Sequence, residues 1–269
     1  MDDVYRSQNA SEKYQRGLEN YERRKALGFP RLSEPQPVAA TQKNIAVCLP
    51  GETFCSVWLA HWTALLPHLM ALGNVQTYFG FSSVVYATRQ ALMDRIMAAI
   101  PPPDYVLWID DDNLLTTAQF DRLFGDLEKN PEIDSVSGWS WAAFDVYETD
   151  AKLSVGAFDK SGKAVPMAYD DLMSGPDDLK QIEYTGFPAV LMRFDVLVRS
   201  GGRPFVPAEL LSFPGEDETF CKRASERGGV RFFVDRRVQV PHLKLRAAEP
   251  IGWKPKARKP EERAEEVGV

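Results

Sequence analysis

The sequence predicts a single α/β domain with a mostly parallel central sheet flanked by helices, and three observations carry that expectation. Between residues 44 and 138, short apolar runs bounded by Pro and Gly alternate with longer segments of helical periodicity. The chain has 269 residues, 44% hydrophobic and 26% charged, enough for one large α/β domain with ample core, and it shows no internal repeat. Residues 104 to 109 (Asp-Tyr-Val-Leu-Trp-Ile) read as a buried strand that delivers Asp110, Asp111 and Asp112 to its carboxyl end, the edge where open α/β sheets bind ligands.

The elements follow in chain order. Residues 8 to 27 predict a polar helix that stops at Gly28, followed by a Pro-rich linker over 30 to 37, so residues 1 to 40 form an N-terminal helical arm. The domain proper, 41 to 245, opens with the apolar run 44 to 49, ended by Pro50-Gly51. A helix over 54 to 70 carries a stripe of Phe54, Val57, Trp58, His61, Leu65 and Leu69; His61 and His68 on or beside it read as core or surface histidines rather than ligands. A strand over 75 to 81 and a helix over 83 to 99 follow, the helix bearing Val85, Leu92, Ile96, Met97 and Arg89. Pro101 to Pro103 end it before the strand that carries the acids. The apolar pattern Phe120, Leu123, Phe124, Leu127 predicts a helix near 118 to 128, capped by Thr116 or Thr117, and 134 to 138 read as another strand.

The second half changes character. Residues 139 to 181, rich in aromatics (Trp139, Trp141, Phe144, Tyr147, Phe158, Tyr169) and acids, are too long for a simple connection, which predicts a functional loop or small insertion. A strand over 182 to 193 through a Gly-Pro kink, a short helix over 194 to 199, and a helix with Phe220, Cys221 and Ala224 buried and Gly228 as terminator come next. Residues 230 to 242 read as two short strands ending at His242, and 246 to 269 form a charged, basic tail. The domain divides into a half at 41 to 138, which holds Asp110 to Asp112 and is expected to bind the ligand, and an acceptor half at 139 to 245.

Composition excludes several classes. Net charge is −6 and the pI near 5.3, against a broad nucleic-acid surface. Cations do cluster locally, at Arg23, Arg24, Lys25 and Arg31 and at Lys244, Arg246, Lys254, Lys256, Arg258, Lys259 and Arg263; solvated faces explain them, and a local polyanion contact stays open. Cys48, Cys55 and Cys221 are odd in number and lack metal-ligand spacing, so they read as reduced structural thiols and zinc is not expected. No apolar stretch reaches the roughly 18 residues of a membrane span, and the amino terminus has no signal-peptide pattern, which predicts a cytoplasmic protein.

Two acidic clusters carry the chemistry. Neighbouring carboxylates repel by about 1 kcal/mol at roughly 4 Å in water and several-fold more in a less polar cleft, so Asp110-Asp111-Asp112 implies compensation. Alternation along an extended chain puts Asp110 and Asp112 on one side and Asp111 on the other, and two hard oxygen donors suit magnesium or manganese. The bland alternative is a solvated acidic turn. Glu216, Asp217 and Glu218 begin a helix, where acids either complement the helix dipole or present a general base on a Gly-hinged loop.

The ordered set of a strand ending Leu107-Trp108-Ile109-Asp110-Asp111-Asp112, the kinked Thr185-Gly186-Phe187, then Gly215-Glu216-Asp217 through Phe220-Cys221, and finally Val238 to His242 resembles the glycosyltransferase-A fold. It is most similar to inverting family-2-like enzymes, including small ones often encoded by bacteriophages, over roughly residues 44 to 245. The family's Ala-Arg-Asn helix start is Thr88-Arg89-Gln90 here. The resemblance implies a metal-dependent transferase acting on a nucleotide sugar, most readily a uridine diphosphate sugar, with Mn2+ or Mg2+ as cofactor and a host-cytoplasmic setting if phage-encoded. It implies Asp112 and Asp110 as metal ligands, completed by His242, and Asp217 as base with Glu216 in support. Pro50, Gly51, Arg89, Asp110 and Asp111 would border the nucleotide, and Gly186 and Phe187 the sugar. The acceptor is open among hydroxymethylated DNA, protein, glycan and small molecule. A retaining enzyme of the same fold, a nucleotidyltransferase and a non-catalytic nucleotide- or sugar-binding module are the alternatives; a nucleotidyltransferase would normally show a Gly-rich basic loop where Pro50-Gly51-Glu52-Thr53 stands.

Overall fold

A computed structural model describes residues 42–142, 152–207 and 215–243. The expected N-terminal helix and linker, the basic tail, and Phe144 and Tyr147 lie outside the described residues. The described chain runs β1 (Lys43–Pro50), α1 (Ser56–Leu72), β2 (Gly73–Gly80), α2 (Val85–Met97), β3 (Tyr105–Ile109), α3 (Thr117–Lys129) and β4 (Ser135–Trp139). It continues with β5 (Trp141–Ala142), β6 (Lys152–Leu153), β7 (Val155–Phe158), β8 (Ala164–Pro166), α4 (Tyr169–Met173), β9 (Leu179–Ile182), β10 (Tyr184–Thr185) and β11 (Ala189–Arg193). Helices α5 (Phe194–Ser200) and α6 (Glu216–Gly228) and strand β12 (Phe232–Gln239) complete it.

The central sheet has seven strands in the order β2-β1-β3-β11-β4-β12-β9. β1 pairs in parallel with β2 and β3, and β4 with β12, whereas β11 and β9 run against their neighbours. Five strands therefore share a direction, and the α/β class with a mostly parallel sheet stands as expected. Period-2 alternation divides the core. Ile45, Val47, Leu49, Leu107 and Ile109 face α1 and α3, where Leu65, Leu69, Phe120 and Leu123 meet them. Ala46, Cys48, Val106 and Trp108 face α2, α5 and α6, meeting Leu92, Ile96, Val196 and Phe220. Each such fully buried apolar side chain stabilises by about 1.5–3 kcal/mol, so the near-continuous apolar character of β1 and β3 is a consequence of burial on both faces.

Three sequence expectations need correction. The run 182 to 193 is not one strand: β9, β10 and β11 belong to different pairings, because Phe187 takes φ 55 and Pro188 offers no N–H, so the chain turns out of the ladder between β10 and β11. Residues 230 to 242 hold a single strand, Phe232–Gln239, with a register irregularity between Val234 and Gln239, rather than two. On α1, Val57 faces outward, and on α2, Val85 does, so each apolar stripe is narrower than its spacing implied. Helix α6 runs through Gly228 and is capped by Gly229 at φ 60, whose N–H reaches the carbonyls of Ala224 and Ser225. Among the described residues after β4, β10-β7-β8 and β5-β6 form two small sheets.

Candidate active site

The like-directed strands end at one edge, and the candidate site is assembled there. After β3 the backbone turns, with the Asn113 N–H donating to the Asp110 carbonyl at 3.2 Å. The segment beyond β12 is stitched onto this turn: the Leu114 N–H donates to Pro241 (3.0 Å), the Leu243 N–H donates to the Asp112 carbonyl (2.6 Å), and Asn113 bridges His242. That pairing brings His242 Nε2 to 2.7 Å from Asp112 Oδ2, across 130 residues of sequence. His242 Nδ1 lies 3.4 Å from the carbonyl oxygen of Trp141.

The three aspartates point three ways. Asp111 turns back to β1, where its carboxylate accepts from the Glu52 N–H at 3.0 Å; Gly51 is required at this approach, because a Cβ there would lie 2.4 Å from that of Asp111. The N–H groups of Glu52 and Thr53 thus hold Asp111, Gly51 allows the approach, and neither Pro50 nor Gly51 lines the cavity described below. Asp110 accepts from Arg89 Nη2 through both oxygens, at 2.9 and 3.0 Å, while Arg89 Nε donates to Glu216 at 3.1 Å. Arg89 is 2% exposed, with Phe187 4.8 Å from its guanidinium carbon. Burial opposes the guanidinium charge, but the Asp110 and Glu216 carboxylates more than offset it, and Arg89 holds its proton more tightly than in water. It ties the end of β3 to the start of α6.

A cavity of about 420 Å³ opens beside this tie. Its lining brings together Asp110, Asp112 and His242, Asp217 and Glu218 on the first turn of α6, Gly186, Tyr184, and residues of β6 and β8. A Cβ on Gly186 would lie 3.4 Å from Asp217 Oδ2, so its bare backbone keeps the space before that carboxylate. Asp217 Oδ1 accepts from the Glu218 N–H at 2.8 Å, which fixes its direction. Burial, then the Glu216 charge, pushes the Asp217 carboxyl up to about 6; burial, then Asp217 and Glu216, pushes Glu218 up to about 7.

Of the residues singled out in the sequence, Asp110, Asp112, Gly186, Asp217 and His242 meet at the cavity. Phe187 does not: its ring is fully buried among Trp108, Phe205 and Phe220. Glu216 is spent on Arg89, and Glu218 takes the place beside Asp217. Ser140, Ser154 and Lys152 also line the cavity without any sequence signal; the Ser140 N–H donates to Ser154 Oγ at 2.9 Å. Among the described residues no three His, Cys, Asp or Glu side chains are gathered as a ready-made metal shell. Asp112 and His242 now meet each other directly at 2.7 Å, and a carboxylate beside an imidazole is a donor pair that could take manganese only once that contact opens. Asp110, expected as a third ligand, has its carboxylate turned to Arg89.

No family model and no curated protein matches the sequence. Solved structures similar to the chain include a 4-diphosphocytidyl-2C-methyl-D-erythritol synthase from Anaerococcus prevotii (TM-score 0.41, 10% identity, 77% of this chain and 92% of that one). They include a glycosyltransferase involved in glycosylation of the major capsid of PBCV-1 (0.38, 12%, 71% and 81%). A third is the catalytic domain of Drosophila β1,4-galactosyltransferase 7 (0.39, 12%, 82% and 78%). At these scores no activity of theirs is assigned to this chain. Among the described residues no helix is long and apolar enough to cross a membrane.

Proposed function

We propose that the protein is a metal-dependent glycosyltransferase that moves a sugar from a nucleotide sugar, most readily a uridine diphosphate sugar, to an acceptor hydroxyl with inversion. One observation carries this reading: Asp112 with His242, and Asp217 with Glu218, face one cavity from separate segments of the chain. Asp112 and His242 would hold a divalent ion against the donor diphosphate, and that ion would offset charge on the departing nucleotide. Arg89 keeps Asp110 and Glu216 neutralised and in place. Asp217 accepts the proton of the acceptor hydroxyl as its oxygen forms a bond to the anomeric carbon. The bond from that carbon to the phosphate oxygen breaks, and its electron pair leaves with the nucleoside diphosphate. A carboxyl pushed up to about 6 is ionised at neutral pH yet more basic than an ordinary aspartate, as a general base requires. Pro50 and Gly51 would border the nucleoside through the turn that Asp111 pins, and Gly186 would let the sugar approach the backbone.

Mass spectrometry of mixtures containing isotopically labelled UDP-glucose or UDP-galactose, manganese and candidate acceptors tests the reading. Sugar should appear on an acceptor with the wild-type protein, and Asp217→Asn should lower that rate by about 10²–10⁴-fold while donor binding persists. Pyrophosphate release from a nucleoside triphosphate, without sugar transfer, would assign nucleotidyl transfer instead.

A further inference from the structure

The wall of the cavity continues outward into an aromatic surface that the chemistry above leaves unused. Trp141 on β5 and Tyr169 at the start of α4 stack, with centroids 5.6 Å apart and planes 25° apart. Both are open, 38% and 46% exposed, although Trp139 beneath them is buried. Trp139 meets both edge-on, at 5.9 and 5.8 Å, and its Nε1 donates to the Arg236 carbonyl at 2.9 Å, so the two outer rings rest on a fixed support. This surface adjoins the site directly. Ser140 precedes Trp141 and lines the cavity, Leu153 of the lining pairs with Trp141 across β5 and β6, and the Trp141 carbonyl faces His242.

Charge decides what such a surface can receive. The lining has four carboxylates, Asp110, Asp112, Asp217 and Glu218, against Lys152 and His242. Arg89 offsets Asp110, and in the reading above a cation would offset Asp112, but an acceptor bearing its own phosphates would meet repulsion at Asp217 and Glu218, strengthened by the partly desolvated cleft. An uncharged ring meets none; it lays its C–H face on an indole or phenol and turns its hydroxyls to polar neighbours. Rigid, exposed aromatic rings bind at small entropic cost.

We propose that Trp141 and Tyr169 form the acceptor platform of this protein and that the acceptor is a neutral carbohydrate, whose ring stacks there while its hydroxyl reaches Asp217. The proposal rests on the glycosyltransferase reading, and its test separates the two. Saturation-transfer NMR on the full-length protein, with UDP and manganese present, would screen cellobiose, lactose, maltose and chitobiose. At least one should bind, and Trp141→Ala and Tyr169→Ala should each weaken it by about tenfold or more, whereas Trp141→Phe restores most of the affinity. Circular dichroism of each variant confirms that it is folded, and Met70→Ala, exposed on α1, serves as the neutral control. Unchanged saccharide affinity in both folded alanine variants overturns the platform. So does binding of a hydroxymethylcytosine oligonucleotide when no neutral saccharide binds. Saccharide binding that depends on Trp141 without any binding of UDP supports the platform and counts against nucleotide-sugar transfer alone.

Discussion

Asp217 is placed where burial and function pull in opposite directions. An aspartate in the unfolded chain titrates near 3.9, and folding raises this one to about 6, chiefly through burial. Folding therefore favours the protonated form. Its stabilising contribution is complete below about pH 4 and is lost as pH rises through about 6. Asp217→Asn removes that loss, so its melting temperature should exceed that of the wild type at pH 8 and the gap should close toward pH 4, as scanning calorimetry would show. In the same window the transfer rate of the wild type should fall on the acid side with an apparent pKa near 6. An Asn variant less stable than the wild type at pH 8 would mean that the carboxylate is satisfied in the fold. Arg89 is the complementary case: a buried cation with two carboxylates, whose removal would leave both charges unpaired in the same low-polarity region.

At the scale of elements, local chemistry sets where helices start and stop. Thr116 caps α3 as expected, in a complete capping box with Gln119: the Gln119 N–H donates to Thr116 Oγ1 at 3.2 Å, and the Thr116 N–H donates to Gln119 Oε1 at 2.9 Å. Thr116→Ala should cost about 1 kcal/mol, read by urea denaturation, with the urea slope unchanged; a loss below a few tenths would show that the loop holds the helix without it. The strands β1, β3 and β4 and helices α1 to α3 were legible because apolar periodicity and Pro or Gly punctuation coincide in them. Residues 182 to 193 misled for a physical reason. Their composition suits a strand throughout, and only the left-handed backbone at Phe187, held by its packing against Trp108 and Phe220, diverts the chain. Such a conformation is set by tertiary contact and carries no local signal in a phenylalanine.

At the scale of the molecule, one edge of one sheet gathers groups from four separate stretches of chain. Asp110 and Asp112 were visible because an apolar strand ending in acids is locally improbable, and Asp217 because acids follow Gly215. Their partners were harder to see. That Arg89 takes Glu216 and Asp110, leaving Glu218 for the cavity, follows from tertiary folding that carries Arg89 to both carboxylates, which no spacing in the sequence reports. Trp141 and Tyr169 likewise meet only because β5 and α4 fold together. The central claim is that the Asp112 and Asp217 sides of the cavity divide the work, one holding the nucleotide through a divalent ion and the other taking the proton. Isothermal titration calorimetry with UDP tests it most directly. Binding should require manganese, be lost in Asp112→Asn and persist in Asp217→Asn. UDP binding that is indifferent to manganese, or that survives in Asp112→Asn, would contradict the account.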